Sequence, residues 1–446
     1  MNILLVVHQF FPQFSAGTEV LTLGVARELR ARGHLVRILS GHPATDDGAE
    51  PGRRTRDQYD DFEVYRFHHA YVPMGGQRSM LEIGSDNHLA AHYLREILDE
   101  FRADRIHYFH LNRLGTGLIV EADRAGVPQS LTPTDFWIIC PTAQLRLPDG
   151  HTCDGPSRHA GNCALHFAQD IATPRLQGFM RRMPTALADT AVRTAVLLRA
   201  RGPGHVRELR AMGERLPKSI SRLNRLDSIL APNAFMRDKL IAYGVDPQRV
   251  REVEYGVDLP HDVVAAPARS ADKPLRIGFI GTLAPHKGVH VLLDAFGRLP
   301  PGTATLRIHG AGLEFPDYVA RLHEAARSIS GVELAGTFRS ADIFRVLAEM
   351  DVLVVPSLWF ENTPLVVYSA QAAGVPVVAS DFPGLACAVR NAVDGLLFAP
   401  GDVEALAGLL AGLAASPAWL GTLRKQVRPP KSTASYVSEL LQAWQA

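Results

Sequence analysis

The chain has 446 residues, a formal net charge of +1 and 46% apolar side chains. A chain of this length exceeds one ordinary hydrophobic core and fits two domains of roughly 200 residues each. The near-neutral charge argues against a general nucleic-acid binder, so no nucleic-acid partner is expected. Four cysteines are not a disulfide framework in a chain of this size.

The N-terminal residues predict a cytoplasmic protein. Asn2–Val7 lacks the basic segment and the small-residue cleavage site of a signal peptide. No apolar stretch approaches the ~18–20 residues that cross a bilayer. A cytoplasmic protein can also attach peripherally to the inner face of a membrane, and this alternative is kept.

Short apolar strands alternate with helices along the first half of the chain. The predicted strands are Ile3–Val7, Leu35–Ser40, Phe62–His68, Arg105–Phe109, Gln129–Thr132, Asp227–Leu230 and Val250–Val253. The predicted helices are Glu19–Arg32, Asn87–Phe101, Leu118–Ala125 and Ala234–Tyr243. This alternation is typical of a parallel, doubly wound α/β sheet.

Two insertions interrupt this pattern, a loop-rich stretch at 136–167 and a helical stretch at 168–226. Pro174, Pro184, the turn at 202–204 and Pro217 are expected to break the second insertion into separate helices. Its basic residues far outnumber its acidic ones; they are Arg175, Arg181, Arg182, Arg193, Arg199, Arg201, Arg207, Arg210, Arg215, Lys218, Arg222 and Arg225. Two interpretations fit: a solvated helical face, or a surface for an anionic membrane or a phosphate-bearing lipid.

Residues 259–273 are small, polar and proline-containing, as in an interdomain linker. The pattern then restarts, with predicted strands Leu275–Ile280, Thr305–His309, Val332–Leu334, Val352–Val355, Val375–Ala379 and Gly395–Phe398. The predicted helices are Val289–Phe296, Pro316–Ile329, Ser340–Ala348, Pro364–Ala373 and Val403–Ala414. We therefore predict an α/β fold of two Rossmann-like domains, 1–258 and 274–425, with a last helix in 426–446 packing back on the first domain.

Two familiar phosphate-binding motifs are missing. Neither half opens with Gly-x-Gly-x-x-Gly between a strand and a helix, and Gly310-Ala311-Gly312 is only a fragment of it. There is no Walker sequence either. Nicotinamide enzymes and P-loop ATPases are thus disfavoured.

Two other turns follow predicted strands of the second domain. In the first, Lys287 stands just before a helix whose amides and dipole would suit a diphosphate; a plain surface lysine is the alternative. In the second, Thr363 is a candidate N-cap with Pro364 in the first turn. Glu361 precedes them, either as a carboxylate that complements the helix dipole or as a group that contacts a sugar hydroxyl.

Cys140, Cys153, Cys163 and His166 fall in the loop-rich stretch. Three thiolates and an imidazole, with Cys163 and His166 in Cys-x2-His spacing, could form a closed structural zinc site. Isolated thiols in a loop are the alternative. Cys387 is expected to serve packing only.

The order of these turns resembles the family-4 glycosyltransferases of the GT-B fold, and the resemblance spans nearly the whole chain. In the second half it rests on GTLAPHKGVHVLLDAF, PSLWFENTPLVVYSAQAAGVPVVASD and NAVDGLLFAPGD. In the first half it rests on FFPQFSAGTEV, LRARGHLVRILS, LTPTDFWIICP and EYGVDL. It implies two domains facing across a cleft and a retaining sugar transfer from a UDP-, GDP- or dTDP-sugar to a glycan or lipid-linked acceptor.

The resemblance also implies roles for particular residues. Lys287 and the backbone amides of the segment from Asn362 to Leu365, which includes Thr363 and Pro364, would hold the donor diphosphate, with Glu361 on the donor sugar. Gly17 would approach the diphosphate from the other domain, where a side chain would not fit. Asp135 joins Glu361 as a catalytic candidate, and base contacts are expected near Gly310 and Phe338. No metal ion or other cofactor is required for catalysis in this family.

Three positions depart from the family pattern. Ser369 replaces the second glutamate, which binds the ribose; Thr134 replaces the histidine before Asp135; and Thr282 stands where an arginine often pairs with the lysine. His110 could partly replace the missing histidine, with a polar loop histidine as the alternative. These departures keep open a non-catalytic relative that binds a nucleotide sugar or a partner enzyme.

Overall fold

The computed structural model describes residues 1–44, 48–171, 178, 180, 182–198, 204–259, 270 and 273–445. They form two compact units: Met1–Asp149 with Cys153–Glu254 and Ala434–Ala446, and Gly150–Thr152 with Tyr255–Thr433. Most of the predicted linker 259–273 lies outside the described residues. So do Pro174, Arg175, Arg181, Arg199, Arg201, Gly202 and Pro203 of the basic insertion.

The first unit is built on one sheet in the strand order β3-β4-β2-β1-β5-β6-β7-β8. The strands are β1 (Asn2–Val7), β2 (Leu35–Pro43), β3 (Arg54–Tyr59), β4 (Phe62–His69), β5 (Arg105–Tyr108), β6 (Gln129–Leu131), β7 (Ser228–Ala231) and β8 (Val250–Glu252). Every neighbouring pair is parallel except β3 with β4. The predicted parallel sheet is therefore confirmed, with one antiparallel strand added at its edge.

Helices cover this sheet and form the insertions. They are α1 (Gly17–Ala31), α2 (Met80–Ser85), α3 (His88–Phe101), α4 (Gly117–Arg124), α5 (Gly161–Ile171), α6 (Thr185–Leu197), α7 (Gly204–Leu223) and α8 (Ala234–Ala242). The expected break at Pro217 is wrong, because α7 runs through that residue. The loop-rich prediction for 136–167 is also partly wrong, since Cys163 and His166 lie on α5.

Part of the basic insertion faces inward. Arg215 on α7 is 5% exposed, and its guanidinium donates to the carbonyl oxygens of Trp137, Ile138 (3.2 Å) and Ile139 (3.3 Å). Other members are paired within the unit, through Arg210–Glu214, Lys218–Glu214, Arg222–Asp86 and Arg225–Asp123. The basic residues of α7 therefore do not form a uniformly solvated face.

Replacing Arg215 with alanine is expected to destabilise the protein by at least about 3 kcal/mol. The substitution removes three charge-assisted hydrogen bonds and leaves buried carbonyl groups without donors. Urea unfolding would measure the change. Arg193→Ala on the neighbouring helix α6 is the control, because Arg193 is exposed. Equal losses of unfolding free energy in the two variants would contradict a structural role for the buried Arg215.

The second unit has an all-parallel sheet in the order β11-β10-β9-β12-β13-β14. The strands are β9 (Leu275–Ile280), β10 (Ala304–His309), β11 (Val332–Gly336), β12 (Val352–Val355), β13 (Val377–Ser380) and β14 (Gly395–Phe398). The helices are α9 (Val289–Phe296), α10 (Pro316–Ser328), α11 (Ile343–Ala348), α12 (Leu365–Ala372), α13 (Pro383–Ala386), α14 (Val403–Ala415) and α15 (Pro417–Gln426).

The central strand β12 shows why this sheet is hydrophobic throughout. Val352 and Val354 pack into one apolar cluster, whereas Leu353 and Val355 pack into another. Successive side chains of a strand point to opposite faces, so helices must cover both faces of the sheet.

The last helix, α16 (Thr433–Gln445), completes the first unit. Trp444 Nε1 donates to Ser130 Oγ at 2.7 Å, and the hydroxyls of Tyr436 and Thr132 are 2.7 Å apart. Tyr436 is fully buried. These contacts join the end of the chain to β6 and the residue that follows it.

Candidate functional site

Two loops meet at the carboxyl edge of the second sheet. β9 and β12 are paired in parallel, so the turns that follow them lie side by side. The amide of Leu358 donates to the carbonyl of His286 at 2.8 Å. Gly288 has φ +71°, and a Cβ placed there would lie 1.8 Å from the carbonyl oxygen of Pro356. Only glycine permits this approach, which brings Lys287 next to the second turn.

Lys287 and Glu361 form an ion pair across these turns. Lys287 Nζ lies 2.7 Å from Glu361 Oε1 and 4.9 Å from the centre of the Trp359 ring. The same carboxylate oxygen accepts from Ser357 Oγ at 2.7 Å and Trp359 Nε1 at 2.8 Å. Three donors thus converge on Oε1, an arrangement that fixes the carboxylate.

Glu361 is 5% exposed but is held in its ionised form. Burial alone would raise the pKa of its carboxyl group. The Lys287 ammonium and the three hydrogen bonds outweigh burial and lower that pKa below its usual value. The carboxylate is therefore a hydrogen-bond acceptor over the neutral pH range.

The residues after Glu361 lead into α12. Asn362 Nδ2 donates to Tyr255 Oη at 2.8 Å, a contact that the sequence did not predict. The N-cap position is Pro364, so Thr363 as N-cap is wrong; the Thr363 hydroxyl donates to the carbonyl of Asn362 at 2.6 Å. The first two amides of α12, those of Leu365 and Val366, have no carbonyl partner one turn earlier in the helix.

A short helix supports this turn from behind. A Cβ on Gly384, in α13, would lie 2.0 Å from the carbonyl oxygen of Glu361 and 2.1 Å from that of Asn362. Gly384 was missed because it is distant in sequence and carries no functional group. Its small size allows the turn to rest directly on α13.

The remaining donor-side candidates are spread along the same sheet edge. Gly310 abuts the first turn, since a Cβ there would lie 1.9 Å from the carbonyl oxygen of Gly281. The Phe338 ring packs edge-on against His309, with centroids 5.3 Å apart. Thr282 is exposed, and Ser369 Oγ donates to the carbonyl of Leu365 at 3.1 Å.

The first unit holds a second polar group at its own carboxyl sheet edge. His110 Nε2 lies 2.7 Å from Asp135 Oδ2, and the amide of Trp137 donates to Asp135 Oδ1 at 2.8 Å. His110, Thr134, Asp135 and Trp137 line one opening. Thr134, which replaces the family histidine, donates to the carbonyl of Phe109 at 3.3 Å. Gly17 is the exposed first residue of α1 in the same unit.

Sequence reasoning missed two ionisable residues near this group. Glu19 is fully buried, and His8 Nε2 lies 3.7 Å from its Oε1. Burial raises the pKa of Glu19 to about 7, although nearby amides, Gln9 and His110 act in the opposite direction. Burial, His110 and Arg113 lower the pKa of His8 well below its usual value. The sequence signal for Glu19 is its place in the AGTEV stretch, in the first turn of α1. A carboxylate there is usually explained by the helix dipole, so it does not attract notice.

Stability is expected to fall as the pH rises from about 4.5 to 7, because of Glu19. Its pKa is raised from 4.5 to about 7, so its contribution is full below pH 4.5 and is lost as the pH rises through 7. The free energy of unfolding of Glu19→Gln, relative to that of wild type, should therefore rise by about 2 to 3 kcal/mol between pH 5 and pH 8. Urea unfolding across this range would measure the trend. Glu28→Gln, at a half-buried position of α1 where the carboxylate pairs with Arg32, is the control.

The cysteine group lines a single cavity. Cys140, Cys153, Cys163 and His166 all border it. Burial raises the pKa of the Cys153 and Cys163 thiols. Within the described ranges, no three His, Cys, Asp or Glu side chains are placed to hold a metal ion. The side chains as they stand therefore do not form the predicted zinc tetrahedron. Cys387 is exposed, so the expected packing role for it is wrong.

Among the helices that the structure describes, none is by itself long and apolar enough to cross a membrane. The bent pair α14 and α15, at 101° to each other, meets that criterion by length and composition only.

Known proteins resemble the chain in sequence. It is 37% identical over 206 residues to D-inositol 3-phosphate glycosyltransferase of Rhodococcus erythropolis, covering 41% of this chain and 45% of that protein. It is 32% identical over 228 residues to the protein of that name from Mycobacterium sp., covering 49% and 50%. The chain thus matches about half the length of these relatives.

Solved structures share the fold at low identity. Anabaena HepE in complex with UDP and glucose is 17% identical with a TM-score of 0.63, over 100% of both chains. Sucrose-phosphate synthase from Thermosynechococcus elongatus is 17% identical with a TM-score of 0.64, over 100% of this chain and 98% of that one. With the two parallel-sheet units, these likenesses establish a two-domain GT-B fold.

Family models account for both halves. The model described as "Glycosyl transferases group 1" matches residues 274–416. The model described as "Glycosyl transferase 4-like domain" matches residues 16–256, more than half of the chain. The chain therefore belongs to the family-4 glycosyltransferases.

Proposed function

We propose that the chain transfers a sugar from a nucleoside-diphosphate sugar to a glycan or lipid-linked acceptor, with retention of configuration. The observation that carries this proposal is the Lys287–Glu361 pair, 2.7 Å apart, beside the start of α12. Solved structures of HepE with UDP and with UDP-glucose support a nucleotide sugar as the donor. In this proposal the second domain binds the donor and the first domain binds the acceptor.

Lys287 and the first amides of α12 would hold the diphosphate. An ammonium has three donor hydrogens, so Lys287 can keep Glu361 and still reach a phosphate oxygen. Positive charge and aligned amides at this position stabilise the negative charge that develops on the departing diphosphate. This electrostatic stabilisation requires neither a metal ion nor a protein nucleophile.

Glu361 would orient the donor sugar. Three protein donors already use Oε1, which leaves Oε2 as the oxygen for a sugar hydroxyl. The acceptor would then attack an oxocarbenium-like sugar from the face that the diphosphate leaves. Asp135, fixed by His110 and the Trp137 amide, is the group of the first domain proposed to contact the reacting sugars.

A non-catalytic nucleotide-sugar-binding relative is the second candidate. Ser369 favours it, because the serine hydroxyl already donates to Leu365 and cannot offer a carboxylate to a ribose. The loss of a charge-assisted hydrogen bond would weaken donor affinity by roughly 1.5–3 kcal/mol.

A panel of UDP-, GDP- and dTDP-sugars tests both candidates. Bound at 100 times its Kd, the correct donor should stabilise the protein by about 2.7 kcal/mol. Steady release of nucleoside diphosphate that is strongly reduced in Glu361→Ala and Lys287→Ala is the result expected of an enzyme. Donor binding without turnover would instead support the second candidate. The acceptor panel should include D-inositol 3-phosphate, after the relatives' names, and lipid-linked glycans.

A structural zinc ion at the cysteine cavity remains a proposal. The four side chains that line the cavity supply thiol and imidazole ligands, but they would have to move together to coordinate an ion. Metal analysis of purified protein would decide it, since less than about a tenth of an equivalent of zinc would remove the idea.

Attachment to an anionic membrane also remains a proposal. Leu187, Leu197 and Leu198, at the two ends of α6, are 62%, 68% and 74% exposed, and Arg193 is exposed between them. Exposed apolar residues beside basic ones are typical of interfacial helices. Flotation with anionic and neutral liposomes tests this, and indifference to anionic lipid would remove it.

A further inference from the structure

Four ionisable side chains of the first unit form a continuous line. Glu19 Oε1 lies 3.7 Å from His8 Nε2, and the His8 and His110 rings are in contact, with centroids 4.1 Å apart and planes tilted by 36°. His110 Nε2 then reaches Asp135 Oδ2 at 2.7 Å. The line runs from a fully buried carboxyl group to Asp135, whose side chain is 30% exposed beside an opening.

Hydrogen bonds define which ring nitrogen of His110 carries the proton. The amide of Asn112 donates to His110 Nδ1 at 3.0 Å, so that nitrogen carries a lone pair rather than a proton. The ring proton must then reside on Nε2, from which it donates to Asp135. His110 thus orients the Asp135 carboxylate, and the direction of its ring determines where that carboxylate points.

The His110 ring is held on two sides. The His8 ring packs against it at a tilt of 36°, and the Trp137 ring lies 5.8 Å away, centre to centre. Behind His8, the Glu19 carboxyl group is fully buried, and its nearest polar neighbours are Gln9 and the backbone amides of Glu19 and Ala16. Burying a carboxyl group costs stability, so a fold that retains one needs a reason outside packing.

We propose that Glu19 and His8 are positioning residues for Asp135, with the charge of Glu19 controlling His8 and the His8 ring holding the plane of His110. This inference rests on the proposed function above, because Asp135 matters only where sugars bind.

Other groups face this line and belong to the same electrostatic environment. Arg113 and His110 act on His8, while Gln9 and the backbone of Ala16 lie near Glu19. Arg215 interacts with Asp135. Because the pKa of Glu19 is about 7, its charge changes within the neutral range, and the rest of the line should sense that change.

Ring-nitrogen NMR of the full-length protein, labelled with ¹⁵N-histidine, tests the inference without any substrate. Signals are assigned with His8→Gln and His110→Gln. We expect the His8 signals to show an inflection near pH 7 in wild type, because the Glu19 carboxyl group 3.7 Å away changes charge there. The inflection should disappear in Glu19→Gln and persist in Glu28→Gln, whose half-buried carboxylate pairs with Arg32. An inflection that persists in Glu19→Gln overturns the proposal.

Kinetics supply a second readout once a donor turns over. Glu19→Gln should lower kcat by about tenfold or more while donor KM stays within about twofold, because the donor site is in the other unit. Glu19→Asp should restore part of kcat, since it returns a carboxyl group. An unchanged kcat in Glu19→Gln would overturn the positioning role. If no donor turns over, the proposed function fails, while the NMR titration still decides the coupling of Glu19 to His8.

Discussion

Lys287→Ala is expected to lower kcat/KM for donor turnover by about 10² to 10³-fold. The variant removes the only ammonium that reaches Glu361 among the described residues, and with it the positive charge beside the start of α12. Charge placed where the leaving group develops its own charge typically contributes this much. Steady-state release of nucleoside diphosphate would measure the change.

A double-mutant cycle separates the pair from its surroundings. Glu361→Gln, Lys287→Ala and the combined variant should show non-additive losses, because the two side chains are in direct contact. Lys287→Ala should also destabilise the fold by about 2 to 3 kcal/mol, since a buried carboxylate loses its cation. Arg298→Ala is the control, because the Arg298–Glu404 pair of the same unit is exposed. Turnover within twofold of wild type in Lys287→Ala would contradict the donor site.

Gly288→Ala is expected to disrupt the donor site and to destabilise the fold by at least about 3 kcal/mol. A non-glycine residue at φ +71° costs roughly 1–2 kcal/mol. The new Cβ would also lie 1.8 Å from the carbonyl oxygen of Pro356, so the two turns must separate. Lys287 would move with them, and donor binding should be lost together with stability.

Gly302→Ala is the matched control for this prediction. Gly302 has φ +80° in the same unit, but a Cβ there would meet nothing within 4 Å. It should therefore lose only the backbone term of about 1–2 kcal/mol and keep donor affinity. Equal losses in the two variants would show that the contact with Pro356 is unimportant.

The fold was largely predictable because buried parallel strands leave a strong signal. Each strand of the second sheet is a short apolar run, and β12 buries side chains on both faces. β3 (Arg54–Tyr59) gave no such signal, because it is a polar edge strand held by ion pairs such as Arg56–Glu63. Pro217 misled because a proline usually ends a helix, yet α7 continues through it.

The candidate site was predictable in part, and for a similar reason. Lys287, Glu361 and Asn362 stand in turns after apolar strands, where parallel sheets bind ligands. Their partners Tyr255 and Gly384 are far away in sequence and were missed. Arg215 was assigned to a basic surface because the sequence shows its charge but not its burial.

The sequence by itself determined two parallel-sheet units, the turns that carry the donor-site candidates and the family to which the chain belongs. These features depend on local periodicity and on motifs of consecutive residues. Only the tertiary structure decided that Lys287 pairs with Glu361, that His110 orients Asp135 and that Glu19 is buried behind His8. Such pairings join residues from different strand ends, and their pKa values depend on burial and on neighbours that no local pattern specifies.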